Sequence, residues 1–229
     1  MLFKGVFKSS KNSQTITQIF WRTCMKILRR AFGSVEENTY IVKLDNAIDF
    51  IIDPGFSSSE WILENAKNPK AILITHGHYD HVWDSANLQK LLKNTPIYAP
   101  KDDVFMLEND IFNLGVPTFS PTFSVPCNKN CTPLNIEGIE VKYWHFPGHT
   151  PGCSIIEIEG AIFSGDFIFY RSIGRYDFPY SNAKDMKESL LRFQNLDFSK
   201  DLDIYPGHGD KTSFFAEREH SKAWVSRIA

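Results

Sequence analysis

Cysteine is scarce: there are four in 229 residues, at 24, 127, 131 and 153. That is too few and too scattered for a disulfide framework. Cys127 and Cys131 also lack a second pair to complete a metal clip, so a reducing compartment, the cytoplasm, is the expected location. Long apolar runs are missing too. Nothing approaches the ~18 uninterrupted apolar residues that a membrane-spanning helix needs, so no membrane association is expected. Nor is there an excess of charge of one sign. A net charge of −2 gives no overall attraction for a phosphate backbone, which removes nucleic acid as an expected partner. With 42% hydrophobic and 23% charged residues the composition is that of a globular protein, and the length fits one large domain or two small ones.

The charge is unevenly distributed. Seven of the 25 basic residues and none of the 27 acidic ones fall in residues 1–35, which leaves −9 on residues 36–229. Residues 1–24 also hold six Ser or Thr, the make-up of organelle transit peptides, whereas no apolar run follows the first lysines as a secretory signal would require. Met25 opens the segment MKILRRAF, which leads into regular alternation. Residues 1–24 are therefore read as an N-terminal extension or upstream start, with a mitochondrial or other organelle leader as the alternative, and 25–229 as the folded domain.

Within that domain, apolar runs bounded by turn residues predict strands at 40–44 and 47–52 with a turn at Asp45-Asn46, then at 71–75, 97–99, 139–146, 153–158, 161–164 and 202–205. Helical spacing predicts helices at 58–67, capped by Ser58, at 81–93 and at 182–195. The stretch 108–135, interrupted by Pro117, Pro121, Pro126 and Pro133, reads as loop. Strands and helices alternate in two halves, which is an α/β layered protein.

Seven side chains stand out as metal ligands: His76, His78, Asp80 and His81 in THGHYDH, His149 in PGHTPG, Asp166 in SGDF and His208 in PGHGD. They include five of the seven histidines. Each group follows a predicted strand, and in layered α/β proteins ligands collect beyond the carboxyl ends of strands. Imidazole and carboxylate without thiolate suit an open catalytic site for zinc, iron or manganese rather than a closed structural zinc. His76 and His78 share a side of an extended segment, while Asp80 and His81 begin the next helix and aim at a second point. Placing Asp166 as a bridge divides the set into His76, His78 and His149 for one ion and Asp80, His81 and His208 for the other, two ions about 3.5–4 Å apart.

In this order and with these separations, Asp53, THGHYDH, His149, Asp166 and His208 resemble the metallo-β-lactamase fold superfamily over about residues 25–220. The resemblance implies a four-layer αβ/βα sandwich of two mixed β-sheets with helices outside and a binuclear centre at one edge, most simply of two Zn2+ with Fe or Mn as alternatives. It places Asp53 behind the ligands, orienting the HxHxDH loop by hydrogen bonds, against the simpler role of capping its own turn before Pro54. PGHTPGC, SGDFIF, SIGRYDFP and YPGHGDKT are similar to short relatives of hydroxyacylglutathione hydrolase, or glyoxalase II. Asp166, in place of a cysteine or serine, argues against a true β-lactamase.

The reaction so implied is hydrolysis of a small thioester such as S-lactoylglutathione, with Asp80 and Asp166 as the catalytic carboxylates. Arg175 sits where the family places a basic residue facing glutathione. Asp177 falls where a tyrosine is expected, which leaves Tyr176, Tyr170 and Arg171 as further candidates for the substrate. The helical C-terminal domain that contributes to glutathione binding in the full-length enzyme has no counterpart within about twenty residues after His208. The competing reading is a persulfide dioxygenase, which shares the fold but holds a single iron, here through His76, His149 and Asp166.

Overall fold

In the computed structural model, which describes residues 25–228, the chain opens with β1 (Lys26–Phe32), β2 (Glu37–Lys43) and β3 (Asp49–Ile52). It continues through α1 (Ser59–Asn65), β4 (Pro69–Leu73), α2 (Tyr79–Val82), α3 (Ser85–Leu91), β5 (Ile97–Pro100), α4 (Val104–Glu108) and β6 (Phe123–Val125). The second half runs β7 (Cys131–Ile136), β8 (Ile139–His145), β9 (Ser154–Ile158), β10 (Ala161–Gly165), a small ribbon of β11 (Ile168–Phe169) and β12 (Ser172–Ile173), α5 (Ala183–Gln194), β13 (Asp203–Pro206), β14 (Thr212–Ser213) and α6 (Phe214–Arg227). The expectations for residues 1–24 lie outside the described residues.

Two six-stranded sheets result, in the orders β1-β2-β3-β4-β5-β6 and β14-β13-β10-β9-β8-β7. Both are mixed, since β3 through β6 pair in parallel while β1, β2 and β3 pair antiparallel. In the second sheet only β10 and β13 are parallel.

The layering follows from side-chain alternation. Along β2, Tyr40 and Val42 face the core between the sheets, joined there by Phe50, Leu73, Tyr143, Ile156 and Phe163. Ile41 between them points the other way, packing with Ile51 and Ile72 against Ile62 of α1 and Leu88 of α3. The second sheet does the same. Ile155, Ile162 and Ile204 pack outward on Met186, Leu190 and Phe193 of α5 and on Phe214 of α6. A strand buried on both faces reads as a continuous apolar run, which is why β3, β4 and β10 are visible in the sequence. The fold is the four-layer αβ/βα sandwich.

Several local expectations change. The helix expected over 81–93 is two, broken between Val82 and Ser85. Ser58 makes no capping bond with its side chain. Instead Asp84, at that break, reaches back and accepts from the Ser57 and Ser59 amides at 3.3 and 2.7 Å. Asn182 does cap α5, accepting from the Asp185 amide at 3.1 Å. The stretch read as loop, 108–135, contains β6 and most of β7, both at sheet edges where proline is tolerated because one side of the ladder is unpaired. The helix α6 escaped sequence reading because two of its three fully buried positions, Glu217 and Ser221, are polar. The Glu217 carboxylate is satisfied by the Thr212 hydroxyl at 2.6 Å and the Arg171 amide at 3.2 Å.

Candidate metal centre

Five strands of the two sheets end at one edge of the sandwich and deliver the polar residues there. Asp53 follows β3, the loop from Thr75 to His78 follows β4, His149 lies in the loop after β8, Asp166 follows β10 and His208 follows β13. The two sheets are tied at this edge by the Ser154 amide donating to the Thr75 carbonyl at 3.0 Å. All seven side chains singled out in the sequence meet there. One atom each from His76, His78 and His149 forms a cluster within 4.8 Å, and so does one each from Asp80, His81 and His208. Asp166 touches both clusters. Its Oδ2 lies 3.4 Å from His149 Nε2 and 3.5 Å from His208 Nε2, and its Oδ1 3.2 Å from His81 Nε2.

The orientation of the rings tests whether these residues suit metal ions. A ligating imidazole donates its second N–H to an oxygen acceptor, which fixes the tautomer and leaves the other nitrogen's lone pair for the metal. His81 Nδ1 donates to Asp53 Oδ2 at 3.0 Å, His149 Nδ1 to the Arg175 carbonyl at 2.7 Å and His208 Nδ1 to the Val35 carbonyl at 3.0 Å. His76 Nδ1 lies 3.0 Å from the Thr75 hydroxyl, which in turn donates to Asp53 Oδ2 at 2.6 Å. In all four rings Nε2 is therefore the inward atom. The buried Nε2 atoms of His76 and His81 and Oδ1 of Asp166 have no hydrogen-bond partner among the described residues. Buried polar atoms are almost always paired, so unpaired ones facing inward in both clusters fit divalent cations.

The two halves differ electrostatically. Burial holds His76 well below its ordinary range and His78 down at about 3, and it lowers His149 as well. These three are neutral rings. Burial would also lower His81 and His208, but the carboxylates of Asp166 and Asp80 outweigh it, raising His81 well above its usual value and His208 to about 10. In return, burial would raise both Asp80 and Asp166, and His81 and His208 overcome it and hold both ionised.

Three residues that brace the site, Asp103, Glu37 and Asn38, carry no motif signal, and a fourth, Gly207, lies within PGHGD. Asp103, at the start of α4 and fully buried, accepts from the Gly77 amide at 2.8 Å, the Thr150 hydroxyl at 2.6 Å and the Gly152 amide at 2.5 Å. It thereby clamps the loop of His76 and His78 to the loop of His149. Burial pushes its carboxyl up to about 6 against these three donors. Glu37 is also fully buried, with Oε1 3.8 Å from His81 Nδ1 and Oε2 accepting from the Thr39 hydroxyl at 3.0 Å. Burial raises it well above the usual carboxylate range. Asn38 donates to the carbonyls of Pro206 and Gly209 at 3.0 and 2.9 Å, fixing the His208 loop from both sides. Gly207 lies so near that a Cβ there would strike the Asp166 carboxylate and the His81 ring.

Asp53 has a left-handed backbone, φ 46°, an uncommon conformation for a residue with a side chain. It turns the carboxylate toward the next strand's loop, where it also accepts from the Thr75 amide at 2.8 Å. Arg175 and Tyr176 stand apart from the expectation of substrate contact. Arg175 is exposed and bound to Asp177 through two hydrogen bonds of 2.9 and 2.7 Å, and only its backbone carbonyl reaches the site. Tyr176 packs against the core under α5. The open cavity above the ligands, about 530 Å³, is walled instead by Val35, Tyr79, Phe112, Leu114, Phe178 and Pro179.

Comparison with known proteins agrees with this geometry. Residues 33–208 match the family model of the metallo-beta-lactamase superfamily. A probable metallo-hydrolase of Streptococcus pyogenes is 30% identical over 213 residues, covering 87% of this chain and 91% of that one. The hydroxyacylglutathione hydrolase GloC of Haemophilus influenzae is 29% identical over 199 residues, covering 80% and 90%. The crystal structure of TTHA1623 in a di-iron-bound form superposes with a TM-score of 0.68 at 30% identity, over 83% of this chain and 96% of that one. With its fold, its edge cluster of histidines and aspartates and a family model spanning most of its length, the chain belongs to the metallo-beta-lactamase superfamily of metal-dependent hydrolases.

Proposed function

We propose that this protein is a binuclear metal-dependent thioester hydrolase. His76, His78 and His149 would hold one ion, Asp80, His81 and His208 the other, and Asp166 would reach both. The observation that carries the reading is Asp166, whose two carboxylate oxygens face histidines of both clusters. Divalent ions in such a pair supply a water acidified toward a pKa of about 7 and an electrophile for the carbonyl oxygen. Zn2+ is the ion we assign, with iron or manganese as substitutes.

The chain's own residues do the rest. Asp80 Oδ2, 3.2 Å from His208 Nε2 and 3.6 Å from His81 Nε2, would help orient the attacking water. Asp53 and Asp103 hold the ligand loops rigid, so little reorganisation accompanies the reaction. Water oxygen bonds to the acyl carbon, the carbon–sulfur bond breaks, and the thiolate leaves and takes up a proton. No nucleophilic side chain is required.

A single-iron persulfide dioxygenase would leave Asp80, His81 and His208 without a task, although these three are as tightly clustered as the first set. Elemental analysis of the purified full chain separates the two. About two metal ions per chain together with thioester hydrolysis supports the proposal. One ferrous ion per chain with oxygen consumption on glutathione persulfide overturns it.

A further inference from the structure

We infer that the cavity selects thioesters with an apolar acyl chain and an uncharged leaving thiol over thioesters of glutathione; the inference rests on the thioester reading above. Three observations carry it. First, no lysine or arginine lines the cavity among the described residues, and its wall beyond the ligands is Val35, Tyr79, Phe112, Leu114, Phe178 and Pro179. Glutathione has carboxylates several bonds from its sulfur. A carboxylate brought onto phenyl and leucyl groups loses water and gains no partner.

Second, the cation that stacks on this wall is already engaged. The Arg175 guanidinium is paired bidentately with Asp177 and lies 4.2 Å from the centre of the Phe178 ring. Its charge is balanced by that carboxylate. Third, the apolar surface begins at the reacting centre. Phe112 and Phe178 stand with ring centres 5.9 and 6.2 Å from that of His78, while Leu114, Val35 and Phe178 are 50%, 44% and 40% exposed. Large apolar side chains grouped at a cavity mouth mark a surface that a ligand covers.

The test uses the metal-loaded full chain and two substrates with the same acyl group, S-hexanoyl-N-acetylcysteamine and S-hexanoylglutathione. Binding of the matching non-hydrolysable thioethers, S-hexyl-N-acetylcysteamine and S-hexylglutathione, is measured by calorimetry. The expected result is kcat/KM at least about tenfold higher, and Kd correspondingly lower, for the uncharged member of each pair. Leu114→Arg, at a half-exposed position, is expected to narrow the ratio at unchanged metal content. Equal or better turnover of the glutathione thioester overturns the inference and leaves the hydrolase reading standing. No turnover of either thioester with the thioether preference intact overturns hydrolysis and supports the apolar selectivity. No turnover and no preference overturns both.

Discussion

Asp103 accepts the Thr150 hydroxyl at 2.6 Å, and through this contact a residue with no motif signal governs two loops that have one. The same carboxylate takes the amides of Gly77 and Gly152. Replacing it by alanine leaves three buried donors unpaired, at about 1–3 kcal/mol each. Asp103→Ala is expected to lower Tm by at least about 8 °C for a chain of this size and to weaken metal binding. Asp103→Asn, which keeps one acceptor oxygen, is expected to recover part of both. Thermal unfolding with and without metal checks this, and an unchanged Tm in the alanine variant would remove Asp103 from the frame of the site.

Asp166 joins the two clusters, so its removal affects both. Asp166→Ala is expected to retain fewer than two metal ions per chain after dialysis and to lose at least about a thousandfold in kcat/KM. Elemental analysis and thioesterase assays on the same preparation read both quantities. Full retention of metal would mean that the carboxylate is not shared.

Protons and metal ions compete for the same ring nitrogens, which makes metal affinity pH-dependent, and the sign follows from the directions of the shifts. His81 and His208 are raised, His208 to about 10, so both are protonated at pH 7 and a metal must displace those protons. Affinity is therefore expected to increase with pH through the neutral range. Loading at pH 7 is expected to release at least about two protons per chain, measured with a pH indicator in weak buffer. Release of none would contradict the protonated state of these rings.

Arg175 offers a test that separates family resemblance from geometry. Its side chain lies outside the cavity wall, and only its carbonyl, which accepts from His149, serves the site. Arg175→Ala keeps that carbonyl and loses only an exposed stacking contact on Phe178. KM is expected to change by less than about fivefold. A larger rise in KM at constant kcat would bring the guanidinium back to the substrate.

Gly207 is held to glycine by the carboxylate and ring beside it. Gly207→Ala is expected to fold, since it sits in a loop, and to bind the metal of the Asp80, His81 and His208 cluster at least about tenfold more weakly. Competition with a chelator measures this directly.

The seven side chains that meet at the sheet edge were legible because their spacing is unusual, and so were strands such as β4 and β10, whose apolar runs have no other reading. What escaped notice did so for physical reasons. Glu37, Asn38 and Asp103 act through contacts 26 to 171 positions away in sequence, and an isolated Asp or Glu carries no periodicity. Edge strands such as β6 are short and half exposed, and α6 buries polar groups satisfied by tertiary partners. Arg175 was placed by analogy, and the analogy could not register that Asp177 would occupy it.

The turn between β1 and β2 supplies the Val35 carbonyl to His208, and the two residues are separated by 173 positions. The first hairpin and the last ligand loop thus complete each other. A chain interrupted anywhere before position 208, or one whose opening hairpin has not docked, presents at most one of the two clusters intact. On the binuclear reading, uptake of a second ion would report that both ends of the sandwich have closed, and would make the finished fold, rather than any single segment, the unit that acquires activity.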